Sequence, residues 1–348
     1  MGFSDRILGK KNVNGGPHID GVSPSFALTG GEVRINGSGL RPQDLLRPKV
    51  KFGDVAAPIV VSSDGFLVTR VPEGAVSGPV VVATNGYESN PHPVKVAVTI
   101  AENLHPVTNP ALDAEGNIYV TFSGSRGQKV PVSVFKIDTN YNVKPFVLEM
   151  MNATSIAFDH QGQMYVSSRF DGAVYKVAPN GSQSTFAEGL GIATGIAFDR
   201  EGSLYVGDRN GTVFKIAPDQ QMFVFATLEM SVSAYHLAFG PHGDLFVTGP
   251  NDRVYKVDPS GNVSTFYKGL GRPQGLAFDG DGNVYVAASL SGTRGIVKIS
   301  PDARASLEVA GQGLVGLAFA PGRSVVLATS SAVHHLLWNI AGLRLIPE

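Results

Sequence analysis

The sequence predicts an all-β protein of two domains in series, an immunoglobulin-like β-sandwich followed by a six-bladed β-propeller. Three observations carry that prediction. A strand pattern recurs roughly every 40 residues from residue 108 onward. A leading segment has short strand-like pieces without that period. The composition, with 42 Gly, 22 Pro and 16% charged residues, suits short strands joined by tight turns and suits helices poorly. At 348 residues the chain is long enough for two domains with full cores.

The repeat is a small apolar stretch ending in Ala-Phe-Asp, a turn with Gly, and an alternating strand. Its copies read NPALDAEGNIYVT, TSIAFDHQGQMYVS, TGIAFDREGSLYVG, YHLAFGPHGDLFVT, QGLAFDGDGNVYVA and VGLAFAPGRSVVLA. The apolar residue before the turn is Leu112, Phe158, Phe198, Phe239, Phe278 and Phe319 in turn, and the five Phe are expected to be buried between blades. Four strands are expected per repeat; in the third copy they fall at 195–198, 203–206, 212–216 and 222–226, with Gly, Asp, Asn and Pro between them. The third strand recurs as VFKI, VYKV or IVKI, and its lysine is expected to point to solvent. The last copy looks complete through 343–346, which leaves ring closure open; the strand-like stretch 94–100 is the candidate for it. These repeats resemble the NHL repeat and the gluconolactonase/regucalcin propellers over about 240 residues.

Residues 1–16 read as an N-terminal tail, 17–100 as the sandwich and 101–348 as the propeller. The sandwich segment carries Ile19, Ser23-Pro24, Gly30-Gly31 before Val33-Arg34-Ile35, Gly37-Ser38-Gly39-Leu40, Val50-Lys51-Phe52-Gly53, and Val71-Pro72 followed by Gly78. It resembles an IPT/TIG domain, a resemblance that implies a spacer or adhesion unit. Some such domains contact DNA, but this one has no dense basic cluster, and the formal net charge of the chain is -1, so no nucleic-acid partner is expected. No apolar run is long enough to insert in a membrane. The start of the chain lacks the apolar core of a secretion signal, so the default expectation is cytoplasmic, or extracellular if a signal has been removed. There is no cysteine, which excludes disulfides and thiolate metal sites.

In a propeller, inner strands begin and second strands end on one face. The residue four before each key apolar position gives a ring of Thr108, Thr154, Thr194, Tyr235, Gln274 and Val315 at the channel mouth. Arg126, Arg169 and Arg209 lie on loops of that face, with Asp171, Asn210, Asn251, Asp252, Ser123, Ser289 and Arg294. The resemblance to gluconolactonases implies a divalent cation held by a Glu before the first inner strand and by later Asn and Asp. The Glu position matches Thr108, and no ring position is a carboxylate, so no metal or other cofactor is expected. Virginiamycin B lyase-like propellers imply a His, Glu, His set; His236 and His242 share a blade, and no ring Glu matches.

What remains is a hydroxyl- and amide-bearing ring flanked by arginines. It suggests a non-catalytic binding protein for a sugar or sugar acid, or for a protein partner. The alternative is a gluconolactonase-like or lyase-like enzyme with a degenerate site. The arginines could equally pair with Asp171, Asp208 or Asp252. Other features have structural readings: Asp279-Gly280-Asp281-Gly282-Asn283 as a hairpin turn rather than a calcium loop, His334-His335 on opposite strand faces, Asp208 bonded to nearby backbone, and Trp338 and His105 in packing.

Overall fold

The computed structural model describes residues 16–41, 47–125 and 127–343, so the tail read at 1–16 lies, but for Gly16, outside the described residues. The chain divides into two compact units, one running to Ala97 and including Leu307–Gln312, the other made of Val98–Ser306 and the residues from Gly313 on.

The first unit is a β-sandwich. One sheet orders His18–Ser23, Glu32–Ser38, Phe66–Arg70 and Ile59–Ser62; the other carries His92–Val96, Gly78–Thr84, Lys49–Phe52 and Val55–Ala57. Alternation within each strand sends Val33, Ile35, Val50, Phe52, Leu67, Val80 and Val82 into one core. Asn90 ties the first strand to the end of the domain, accepting from Ile19 N and donating to Ile19 O. The short strand Phe26–Ala27 pairs in parallel with Lys95 and Val96 and with Val309 and Ala310.

The second unit is the propeller. Its first four blades are antiparallel four-stranded sheets in sequence order, with inner strands Ala111–Leu112, Ala153–Phe158, Ala193–Phe198 and His236–Phe239. The third blade continues through Leu204–Asp208, Thr212–Ile216 and Met222–Thr227, within two residues of the predicted bounds. The fifth begins Leu276–Phe278, Val284–Leu290 and Thr293–Ile299. The sixth is built from both ends of the unit: Leu314–Ala320, Ser324–Thr329 and Ala332–Leu337 are completed by Val98–Glu102, which pairs antiparallel with Ala332–Leu337. An early strand therefore closes the ring. The expected fourth strand at 343–346 does not fill that place: the backbone N–H of Leu343 bonds Phe278 O, and 344–346 lie outside the described residues.

The blades are glued by an aromatic ladder. A second-strand aromatic of one blade meets the inner-strand Phe of the next edge to face: Tyr119–Phe158, Tyr165–Phe198, Tyr205–Phe239, Phe246–Phe278 and Tyr285–Phe319, at centroid distances from 4.8 to 5.5 Å. Phe198, Phe239 and Phe278 are buried, whereas Leu112, Phe158 and Phe319 are half-buried; all six border a cavity described below. Trp338 packs on Tyr285 at 5.1 Å, the role that outer-strand Phe146, Phe186, Phe225 and Phe266 play in the first four blades.

The repeated turn explains the Ala-Phe-Asp motif. Asp199 Oδ1 accepts from Glu201 N and Ser203 N, and Asp279 Oδ1 from Asp281 N and Asn283 N, while the following Gly202 and Gly282 take φ of +84° and +81°. The calcium-like Asp-Gly-Asp-Gly-Asn is one of these turns. The third-strand lysines do not simply solvate. Lys136 and Lys215 lie over the rings of Tyr119 and Tyr205 and reach Asp113 and Asp199 at 4.0 and 3.5 Å, because the cross-strand register sets each lysine opposite the tyrosine.

Candidate ligand-binding site

The ring positions are buried and largely engaged by backbone. Thr108 Oγ1 donates to Thr154 O at 2.7 Å, so one blade is stitched to the next. Thr154 Oγ1 donates to Asn152 O at 2.9 Å. Thr194 Oγ1 donates to Gly207 O at 2.9 Å and accepts from Tyr235 N at 3.0 Å. The Tyr235 phenol donates to Glu229 O, and burial, with Asp208 nearby, pushes it up to about 12. Val315 is buried, and Gln274 is half-buried.

Both described arginines of the three donate to backbone carbonyls. Arg169 donates to Gly124 O at 3.1 Å, and Arg209 to Ser231 O at 3.2 Å and to Val232 O. Arg126 lies outside the described residues. The acids proposed as their partners have other work. Asp171 accepts from Ser168 Oγ and Tyr175 OH, and Asp208 from Ile192 N and Asn210 N. Asp252 lies 3.8 Å from Arg253.

A positive centre on this face comes instead from the fifth blade. Arg294 donates to Gly271 O, Arg272 O, Leu314 O and Gln274 Oε1. Burial and the charge of Arg272 bring its guanidinium down to about 10, and no carboxylate is among the groups acting on it. His236, at the start of the fourth inner strand, is 4% exposed. Burial first, and then Arg294, hold its imidazole down to about 3, so it is neutral. His242 sits in the turn beyond Phe239, at the other end of that strand, so the two histidines are not brought together. Sequence reasoning named Arg294 only as a loop residue and missed Arg272, whose place just ahead of the fifth inner strand was the available signal.

Below this layer Asn109 links three consecutive inner strands along one side of the channel. Its Nδ2 donates to Leu276 O at 2.8 Å, and its Oδ1 accepts from Leu317 N at 3.1 Å, joining the first blade to the fifth and sixth. Room for it comes from Gly275 and Gly316: a Cβ on Gly316 would stand 2.6 Å from Asn109 Cα and 2.7 Å from Asn109 N. We predict that Gly316→Ala costs about 2–3 kcal/mol by overpacking, measured by urea denaturation, and that Gly21→Ala, which meets nothing within 4 Å, costs far less.

On the far side of Asn109 lies a cavity of about 840 Å³. It is lined by the second halves of the inner strands and rimmed by their turns, including Asp159, His160 and Arg323, and by Ala341 to Leu343. Among the described residues no group of three or more His, Cys, Asp or Glu side chains is placed to hold a metal ion. No helix among them is long and apolar enough to cross a membrane.

The IPT/TIG domain family matches residues 17–99. This segment is an IPT/TIG domain. Beyond the IPT/TIG domain, solved structures share the propeller. A presumed gluconolactonase superposes with a TM-score of 0.61 at 18% identity, over 71% of this chain and 93% of that one. An auxiliary nutrient binding protein from Bacteroides ovatus superposes with a TM-score of 0.56 at 13% identity, over 94% of this chain and 98% of that one. A gluconolactonase from Xanthomonas campestris gives 0.56 at 15% identity, over 68% and 88%. Likeness at these identities establishes the fold: a gluconolactonase-type propeller behind the IPT/TIG domain. No curated protein matches the sequence.

Proposed function

We propose that this is a non-catalytic binding protein whose propeller takes a small polar ligand carrying an acidic group, such as a sugar acid, at the loop-side mouth of its channel. The observation that carries this reading is the Arg294 guanidinium, held by the carbonyls of Gly271, Arg272 and Leu314 and by Gln274 Oε1, with Arg272 alongside and the neutral His236 near it. A half-buried cation without a carboxylate favours an anion there. The threonine hydroxyls already serve backbone groups, so the acidic group, rather than a ring of polyol contacts, dominates recognition. The full-length fold likeness to an auxiliary nutrient binding protein supports binding over turnover. A gluconolactonase-like activity fits less well, since Thr108 stands where the resembling enzymes carry their Glu.

Thermal shift with gluconate and galacturonate, against their neutral parents and at two salt concentrations, tests this. Acidic saccharides should raise the melting temperature, high salt should reduce the shift, and Arg272→Ala should weaken affinity about tenfold. A protein partner on the same face is the second reading, favoured by the exposed Phe170, Met230 and Val232, the last two 75% and 91% exposed. No shift with any acidic saccharide would leave that reading standing and end the first.

A further inference from the structure

We infer that the cavity beyond Asn109 is a second, separate ligand site, taking a neutral and largely apolar small molecule such as an aromatic or alicyclic compound. At about 840 Å³ it falls in the range of small-molecule pockets. At its inner end Asn109 bridges the inner strands of three consecutive blades. Its wall repeats one chemistry around the ring: Ala157, Ala197, Ala238, Ala277 and Ala318 each precede an inner-strand Phe that also borders the cavity. Alanine at the same point of five blades keeps the space open where one larger side chain would begin to fill it.

Most polar groups at its mouth are already engaged, Arg323 least, with a 3.4 Å bond to Asn339 Oδ1. Asp113 accepts from Asn117 N, Asn117 Nδ2 and Tyr119 OH. Asp159 accepts from Gln161 N and Gln163 N. His160 Nε2 bonds Asp199 O at 2.9 Å. Both ends of the Asn109 amide are taken as well. A charged or sugar-like ligand would therefore find few free side-chain partners here, whereas an apolar body gains by displacing weakly held water. The site is thus opposite in chemistry to the positive mouth on the other side of Asn109, and the two can stand or fall separately.

The test uses the whole chain and a neutral fluorescent probe, N-phenyl-1-naphthylamine. Saturable one-to-one binding is expected. Ala238→Leu, which reduces the space, and Leu343→Asp, which sets a charge at the mouth, should each weaken it roughly tenfold or more; circular dichroism melts identify any variant that fails to fold. Arg272→Ala, at the other mouth, should leave probe affinity unchanged. Absence of saturable binding to the parent protein overturns the inference. So does unchanged affinity in both folded cavity variants, or loss of binding in Arg272→Ala, which would put the probe on the loop side. Saccharide binding by the Ala238→Leu protein should persist, so failure here is distinguishable from failure of the sugar-acid reading.

Discussion

Phe198→Ala should destabilise the protein by about 3–5 kcal/mol, the cost of emptying a well-packed aromatic site. Phe198 is 8% exposed and lies in the cluster between the second and third blades, edge to face with Tyr165 at 5.0 Å. Removing the ring strips contacts from Tyr165, Ile196 and Leu204 together, and the two sheets cannot collapse into the gap without disturbing their neighbours in a closed ring. Phe158→Ala and Phe319→Ala should each cost less, since both rings are half-buried where Phe198 is buried. Trp338 is the single tryptophan and packs on Tyr285 and Phe319, so its fluorescence reports unfolding at the fifth and sixth blades. Circular dichroism followed alongside it distinguishes whole-ring unfolding from local loss. A cost below about 1 kcal/mol for Phe198→Ala would mean that the aromatic ladder does not hold the blades.

Acid should weaken the fold well above the carboxylate range. His236 and His334 are held neutral by burial, down to about 3 and about 4, against an ordinary 6.5. The unfolded chain takes up protons that the folded chain refuses. Stability is therefore unaffected above the unfolded value and falls as pH drops below about 6.5, until the folded values are reached. Each histidine contributes a slope of about 1.4 kcal/mol per pH unit inside that window. Asp138 and Asp258, whose carboxyls are lowered chiefly by hydrogen bonds from Asn142 and Asn262, lose their contribution only as pH falls from the ordinary carboxylate value through their lowered ones. Denaturation midpoints between pH 7 and 4.5 therefore isolate the histidines. His236→Asn should reduce the slope in that window, leaving the part that His334 and His335, both lowered by burial, supply. An unchanged slope would show that His236 is not buried as a neutral base.

The blades were legible because one turn is written six times. Asp with Gly three residues on specifies the hairpin in four copies, Gly240 and Ala320 standing in the Asp place in the other two, and the Phe before it in five copies specifies the seam. The closing strand was legible only in part, since the candidate stretch 94–100 overlaps Val98–Glu102 but extends before it. Val98–Glu102 pairs with Ala332–Leu337 across more than 200 residues, and no local signal ties them. The exposure of Phe158 and Phe319 was hidden for a related reason: a repeat predicts equal positions to be equal.

The channel was legible only in part. Counting four residues back from each Phe finds the right end of the strand but not which way a hydroxyl turns, and Thr108 and Thr154 turn to carbonyls. Asn109 breaks the repeat where the other blades carry Ser155, Gly195, His236, Gly275 and Gly316. Gly275 and Gly316 at that step were the sign that a side chain from the first blade packs close against them. The arginines could be named from their loops, but their carbonyl partners come from backbone, which carries no sequence signature.

The central claim, binding without turnover at the positive mouth, is tested most directly by one calorimetric titration. Gluconate and then glucono-1,5-lactone are injected into the same protein with calcium present. The account predicts a saturable heat for the acid and, for the lactone, no heat flow beyond its spontaneous hydrolysis in buffer. A sustained heat of turnover with the lactone, abolished by a chelator, would contradict it and establish an enzyme whose metal site is built from residues other than the expected Glu.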